Sequence, residues 1–216
     1  MRKIYAIVVA SLLTFTANSF AEMGMGITAN YAMTSTSGTE TLRDSGKVTN
    51  ATHDEDVTIP ELFIEVIGDQ GVFGLAYVPV TELGSKSRTD TNTEGSSGVY
   101  KGSAEISDHV TVYADWNLSE FMGSTVYVTG GISRATLTTL ESVTTGGSVY
   151  GDEDVFGYTV GLGAKGDLPF GNGLYYKASA NYTEYDSYED SASTNNNKIT
   201  ADTEVTSFKG SIGFKF

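Results

Sequence analysis

Ser107 and His109 stand two residues apart, with Glu105 two residues before them: an acid, a hydroxyl and an imidazole in one alternating row. On a β-strand every second side chain shares a face. Such a row has the parts of nucleophilic acyl transfer, in which a base activates a hydroxyl and is itself oriented by a third group. With apolar Val110, Val112, Ala114 and Trp116 on the opposite, outward face, this row turns inward, away from any substrate at the outer surface. His109 then reads as an interior imidazole hydrogen-bonded to its neighbours. The other histidine, His53, precedes Asp54, Glu55 and Asp56 and reads as a solvated loop residue. Gly161, Gly163 and Gly166 match the spacing of a dinucleotide-binding loop, but that motif needs a helix after it. Asp167-Leu168-Pro169-Phe170-Gly171 makes a turn instead, so the motif is discarded. Cysteine is absent, which excludes disulfides and thiolate metal sites. No catalytic residue, cofactor or metal site is expected, and the chain is not read as an enzyme.

A second set of charges carries a different kind of chemistry. Glu61, Glu65 and Glu105, with Lys165, Lys177, Lys209 and Lys215, occupy the polar faces of alternating segments. If those faces turn inward, the charges leave water and must pair. Gly24, Gly26 and Thr28 are small, so Lys209 can reach across them toward Glu61. The set is then either an ion path or a polar plug of salt bridges, and a narrow lumen favours the plug. Acidic residues also crowd the polar stretches: Glu40, Asp44 and Asp54 to Asp56, then Asp152 to Asp154, then Asp186, Glu189, Asp190 and Asp202. Their ordinary role is a solvated surface. The sharper expectation is divalent cation binding that bridges to lipopolysaccharide phosphates. Oxygen ligands suit it, although no EF-hand-like spacing exists.

These residues need elements to position them. Residues 1–21 read as a cleaved signal peptide: Arg2 and Lys3, an apolar stretch from Ile4 to Phe15, and Ser19-Phe20-Ala21 in the small-x-small pattern. The stretch is shorter than the roughly 20 apolar residues of a spanning helix. Residues 22–216 then form one domain with 11 basic and 27 acidic side chains, a net charge of −16. That balance disfavours nucleic acid, which wants a basic face. No later segment is apolar enough for a transmembrane helix.

Eight segments instead alternate apolar with small or polar residues, the period of β-strands. They are Met23 to Met33, Thr58 to Ile67, Val72 to Thr81, Gly102 to Trp116, Thr125 to Arg134, Val155 to Lys165, Leu174 to Tyr185 and Thr203 to Phe216. Connections alternate in length. Short turns at Gly68 to Gly71, Leu118 to Ser124 and Gly166 to Gly173 separate long polar loops at Thr34 to Val57, Glu82 to Val99, Ala135 to Asp154 and Asp186 to Asp202. Short turns on one side and long loops on the other are how outer-membrane barrels are built.

Phase is set by cost, since charge facing hydrocarbon is unfavourable. Leu62, Ile64 and Val66 therefore point out, and Glu61 and Glu65 point in. The same logic sends Val110, Val112, Ala114 and Trp116 outward, but with them Asp108, which requires either a place at the outer rim or a β-bulge. Phe208, Ile212, Phe214 and Phe216 alternate on one face of the last segment, and Phe216 ends the sequence. Trp116, Phe170, Tyr176, Phe214 and Phe216 form a lower aromatic girdle. Tyr31, Tyr77, Phe156, Tyr182 and Phe208 form an upper one.

The closing strand resembles that of bacterial outer-membrane barrels, in which the barrel assembly machinery recognises a terminal aromatic preceded by alternating apolar residues. By its whole pattern residues 22–216 resemble the small eight-stranded group that includes the transmembrane domain of outer-membrane protein A, outer-membrane protein X and the opacity-type adhesins. The resemblance implies an all-β, eight-stranded, antiparallel up-and-down transmembrane barrel in the outer membrane of a Gram-negative bacterium. Its expected partners are outer-membrane lipid, lipopolysaccharide and the assembly machinery, with an unidentified extracellular ligand at the loops. Lipid A deacylases of this fold also pair a histidine and a serine on one strand, as Ser107 and His109 do here. The expected role is structural or surface-interacting. The alternatives are a narrow pore or small-solute transport barrel and, further off, a secreted soluble β-barrel.

Overall fold

A computed structural model describes residues 22–90, 98–142, 149–169, 171–193 and 196–216. The expected signal at residues 1–21 and Phe170, expected in the lower girdle, lie outside the described residues. Ten strands run in order: β1 (Glu22–Thr41), β2 (Val48–Gly68), β3 (Gly71–Val78), β4 (Thr81–Asp90), β5 (Gly98–Phe121), β6 (Ser124–Ser142), β7 (Glu153–Asp167), β8 (Leu174–Tyr185), β9 (Tyr188–Ser191) and β10 (Lys198–Lys215). They make eight staves. β3 and β4 both pair with β5, and β8 and β9 both pair with β10, so each couple is one interrupted stave. The first break falls at Pro79 and Val80; proline has no N–H for the ladder.

Every pairing is antiparallel, and β1 pairs with both β2 and β10, which closes the sheet. The seam is finished by two backbone bonds between Met23 and Phe216, at 3.1 and 2.9 Å. Closure leaves no open edge around the lower barrel. The stagger can be read from the register. Stepping from Ala32 through Ser207, Asn181, Gly161, Thr129, Asp115, Val72 and Ile67 returns to β1 at Glu22, ten residues lower. With about 3.3 Å per residue and 4.8 Å between strands, this stagger tilts the staves by about 40° and gives a backbone radius of about 8 Å.

That radius decides where side chains go. On β1 the outward face runs Met23, Met25, Ile27 and Tyr31, all exposed, and the inward face includes Thr28 and Asn30, both buried. The same inversion holds on β2, where Leu62, Ile64 and Val66 are exposed while Glu61 and Glu65 are buried. Val160, Leu162, Phe208, Ile212, Phe214 and Phe216 continue the exposed apolar surface round the barrel. At a tilt of about 40° the β1 face climbs roughly 20–25 Å, close to the height of an outer-membrane apolar band.

Two expectations about the connections are corrected by the structure. Much of the polar stretches expected to be loops is strand: β1 runs to Thr41 and β2 starts at Val48, and β6 and β10 also extend well into stretches read as loops. On β1 and β2 alternation vanishes there because both faces are largely polar, yet backbone pairing continues residue for residue from Thr34↔Glu55 to Thr41↔Val48. The turn expected over Leu118 to Ser124 is also tighter. β5 runs to Phe121, and Met122-Gly123, both with positive φ (51° and 81°), close the hairpin. Two central residues with positive φ define a type I′ turn, the natural partner of twisted strands.

Asp108 resolves as a bulge. Its φ is 49°, and the β5–β6 register shifts between Ser107 and Val110. The extra residue reverses the phase above it. Ile106 is buried inside and pairs with Leu137, so its neighbours Glu105 and Ser107 take the outward phase. The expectation that Glu105 faces the lumen is therefore corrected: a bulge sets two residues opposite one and re-aims the side chains beyond it.

Candidate functional site: a two-tier plug beneath an apolar chamber

Charged inward positions on β2, β5, β8 and β10 converge in two layers. The lower layer centres on Lys177 of β8. Its Nζ lies 2.9 Å from Glu65 on β2 and 2.7 Å from Asp115 on β5, and all three residues are buried. Glu65 also accepts hydrogen bonds from the hydroxyls of Tyr113 (2.6 Å) and Tyr175 (2.7 Å). Lys177 sits 4.8 Å from the Tyr113 ring centroid and 5.7 Å from those of Phe63 and Tyr127. A cation among aromatic faces gains from their quadrupoles when water is excluded. Room for these rings comes from glycine: a Cβ at Gly74 would strike Tyr113, at Gly163 Tyr127 and at Gly213 Tyr175. Gly163 thus serves packing within a strand, in keeping with the discarded nucleotide motif. Lys165 also points inward, 5.6 Å from the Tyr127 centroid, and its Nζ has no hydrogen-bond partner.

Four residues further up β2, Glu61 anchors the upper layer. Lys209 of β10 approaches both of its carboxylate oxygens, at 2.9 and 3.0 Å, and the Asn30 amide donates to it at 2.6 Å. Hydroxyl pairs complete the polar belt: Thr111 with Ser133 and Thr159 with Thr183, each at 2.8 Å. A small void of about 70 Å³ lies between the layers. Above Glu61 and Lys209 opens a larger chamber of about 390 Å³, with Ile59, Val78, Ile106, Leu137, Val155 and Val205 in its wall. His109 stands in the chamber, its Nε2 3.4 Å from both the Thr111 and Tyr185 hydroxyl oxygens.

Of the seven charges read from the sequence, the structure brings Glu65 and Lys177 together, and separately Glu61 and Lys209. Lys165 borders the lower layer. Lys215 sits at the lower mouth, paired with Asp167 at 2.6 Å and Glu22 at 3.7 Å. Glu105 joins neither layer. Sequence reasoning missed Asp115, Tyr113, Tyr127 and Tyr175. The signal for Asp115 and Tyr113 was available: once Val112, Ala114 and Trp116 face out, the odd-numbered positions between them face in. Ser107 and His109 do not share a face, because the Asp108 bulge lies between them.

Outside, Tyr31 donates to Asp56 at 2.9 Å, and the hydroxyls of Tyr176 and Ser124 bond at 2.6 Å. Tyr77, Tyr182 and Phe156 are exposed on the upper outer face. Just above them Arg134 and the Thr136 hydroxyl, at 2.6 and 2.9 Å, hold the Asp154 carboxyl below the usual carboxylate range. Among the described residues no group of three or more histidines or carboxylates is placed to hold a metal ion.

No family profile matches the sequence, and no curated protein matches it. Among solved structures the chain is similar to the outer membrane protein OprG from Pseudomonas aeruginosa, at 13% identity and a TM-score of 0.53, covering 92% of this chain and 98% of that one. It is also matched with the outer membrane protease OmpT from Escherichia coli (11% identity, TM-score 0.48, 93% and 99% coverage). A further match is Neisserial surface protein A (12% identity, TM-score 0.46, 90% and 97% coverage). At these identities the OprG likeness is one of fold, that of a small closed antiparallel barrel.

Proposed function

We propose that this chain is an integral outer-membrane β-barrel with a structural and surface-interaction role, carrying acidic polar extensions on a plugged lumen. One observation carries the reading: the barrel is apolar outside and charged inside. Burying apolar surface is what folds a chain in water, and here Met25, Ile27, Leu62, Ile64, Leu162 and Ile212 are about half exposed while Glu61, Glu65 and Asp115 are buried. Only hydrocarbon makes that arrangement favourable, and among sheets only a closed barrel satisfies every backbone group within it. The residues below the band then face the periplasm, and the long hairpins above it face the outside.

The surface role rests on those hairpins. Loops on a rigid scaffold are where binding usually resides, and the Glu40, Asp54 to Asp56 and Asp186 to Asp202 stretches give this end an acidic surface. Their partner is an extracellular ligand, with lipopolysaccharide lining the outer leaflet around the barrel. Phe208, Ile212, Phe214 and Phe216 serve as the segment read by the assembly machinery. Export through a cleaved segment at residues 1–21 belongs to the same reading. Fractionation of cells producing the protein is expected to place it in the outer membrane, with heat-dependent mobility on a detergent gel. A monomer that stays folded in plain buffer would overturn the assignment.

A further inference from the structure

We propose that the upper chamber is a binding site for a small neutral amphiphile bearing a hydroxyl group, with its apolar body among Ile106, Leu137 and Val155 and its hydroxyl at the polar floor. The inference does not depend on what the outer hairpins meet. It begins with shape. At about 390 Å³ the chamber falls within the range of about 300–1,000 Å³ typical of small-molecule pockets. Its composition is also that of such pockets, mostly apolar with a few converging polar groups. The lower plug closes the barrel beneath it, so the space is a blind cup rather than a passage.

Floor chemistry selects the head group. Asn30, only 8% exposed, turns its amide N–H to Glu61, and its Oδ1 has no hydrogen-bond partner. The Nδ1 of His109, in the same part of the cup, also has none. Buried polar atoms left without partners are costly, so the floor lacks a group that can satisfy them. Asn30 Oδ1 needs a donor, while His109 Nδ1 needs a donor or an acceptor according to its tautomer. A hydroxyl both donates and accepts, and so serves either. Charge argues against an acid. Lys209 is already bound to Glu61, and Glu55 and Asp186 line the upper part of the cup. A carboxylate would pass acidic residues to reach a cation that already has its partner, which is the repulsive element that specificity requires.

The test uses the full barrel in lipid nanodiscs, avoiding detergent tails that could enter the cup. Methyl groups of isoleucine, leucine and valine are tracked by NMR during titration with 1-octanol and, separately, with octanoate. With 1-octanol, the inward methyls of Ile106, Leu137 and Val155 are expected to shift saturably, while the outward methyls of Ile27 and Leu62 report linear partitioning into lipid. Octanoate should bind at least tenfold more weakly. Ala201→Trp, which fills the cup from its wall, should abolish saturation, and His109→Phe should weaken binding several-fold; each variant is checked for folding by its heat-dependent gel mobility. Inward methyls that track the outward ones, or octanoate binding as tightly as 1-octanol, would overturn the proposal. Failure of the fractionation test would instead strike the membrane reading, so the two outcomes remain separate.

Discussion

Two lysines a short way apart in the lower layer have different surroundings. Lys177 meets two carboxylates and three rings, whereas Lys165 lies over one ring with no hydrogen-bond partner. Removing one member of a buried ion pair strands the other charge at a typical cost of about 3–5 kcal/mol. Lys177→Met leaves both Glu65 and Asp115 uncompensated, so its urea-unfolding free energy in lipid vesicles is expected to fall by about that amount. Lys165→Met removes a desolvated charge that makes no such bond, and its loss should be less than half as large. Equal losses would mean that the layer is held by its overall charge balance rather than by the bonds around Lys177. The Lys209–Glu61 contact was legible in sequence because flanking small residues left space for a long side chain. Asp115 was legible in principle, since it sits between two outward positions. Tyr127 and Tyr175 were not singled out, because tyrosine serves equally well on either face of a strand.

At the scale of the strand, alternation is readable only where the two faces meet different solvents. Between Met23 and Tyr31, or Leu174 and Tyr182, hydrocarbon outside and polar groups inside impose a period of two, and the phases deduced from cost agree with the structure. Above the band both faces of β1 and β2 are largely polar, and on β10 the contrast inverts, with Ile199, Ala201 and Val205 packed inside and Lys198, Asp202 and Glu204 outside, so paired strand reads as loop. The Asp108 bulge is the other failure: a single added residue reverses the phase, and composition alone did not choose between a bulge and a charge at the rim. Both points are testable. Ile27→Arg, near the middle of the outward face of β1, should cost about 2–4 kcal/mol, while arginine at Met33, nearer the upper rim, should cost about 0–1. A reversed order, again from unfolding in vesicles, would mean the band is misplaced. Deleting Asp108 removes the extra residue, so it should restore a plain ladder while Ile106 stays in the chamber wall and Glu105 stays outside. The expected readout is accessibility: a cysteine at position 106 should stay shielded from a membrane-impermeant thiol reagent both before and after the deletion, and labelling only after it would overturn the bulge reading.

For the whole molecule, eight staves with a stagger of ten residues leave a backbone radius of about 8 Å, much of which inward side chains occupy. The two charge layers lie four residues apart on β2, or about 10 Å along the axis at a tilt of about 40°. They stand in series, and any ion crossing the barrel must break both. The wild-type protein in a planar bilayer is therefore expected to show no steady unitary current. Replacing Glu61 and Lys209 with serine should enlarge the chamber downward yet leave the barrel closed, because Glu65, Asp115, Lys177 and their tyrosines still block it. Replacing only that lower trio with serine should also leave it closed, since the Glu61–Lys209 bridge persists. Combining both sets removes every bridge of the two layers and frees the Tyr113 and Tyr175 hydroxyls from their shared acceptor, and only then should discrete currents appear. Steady conductance in the wild type, or in either partial variant, would show that the layers do not seal the lumen independently and would favour the transport reading over a plugged surface scaffold.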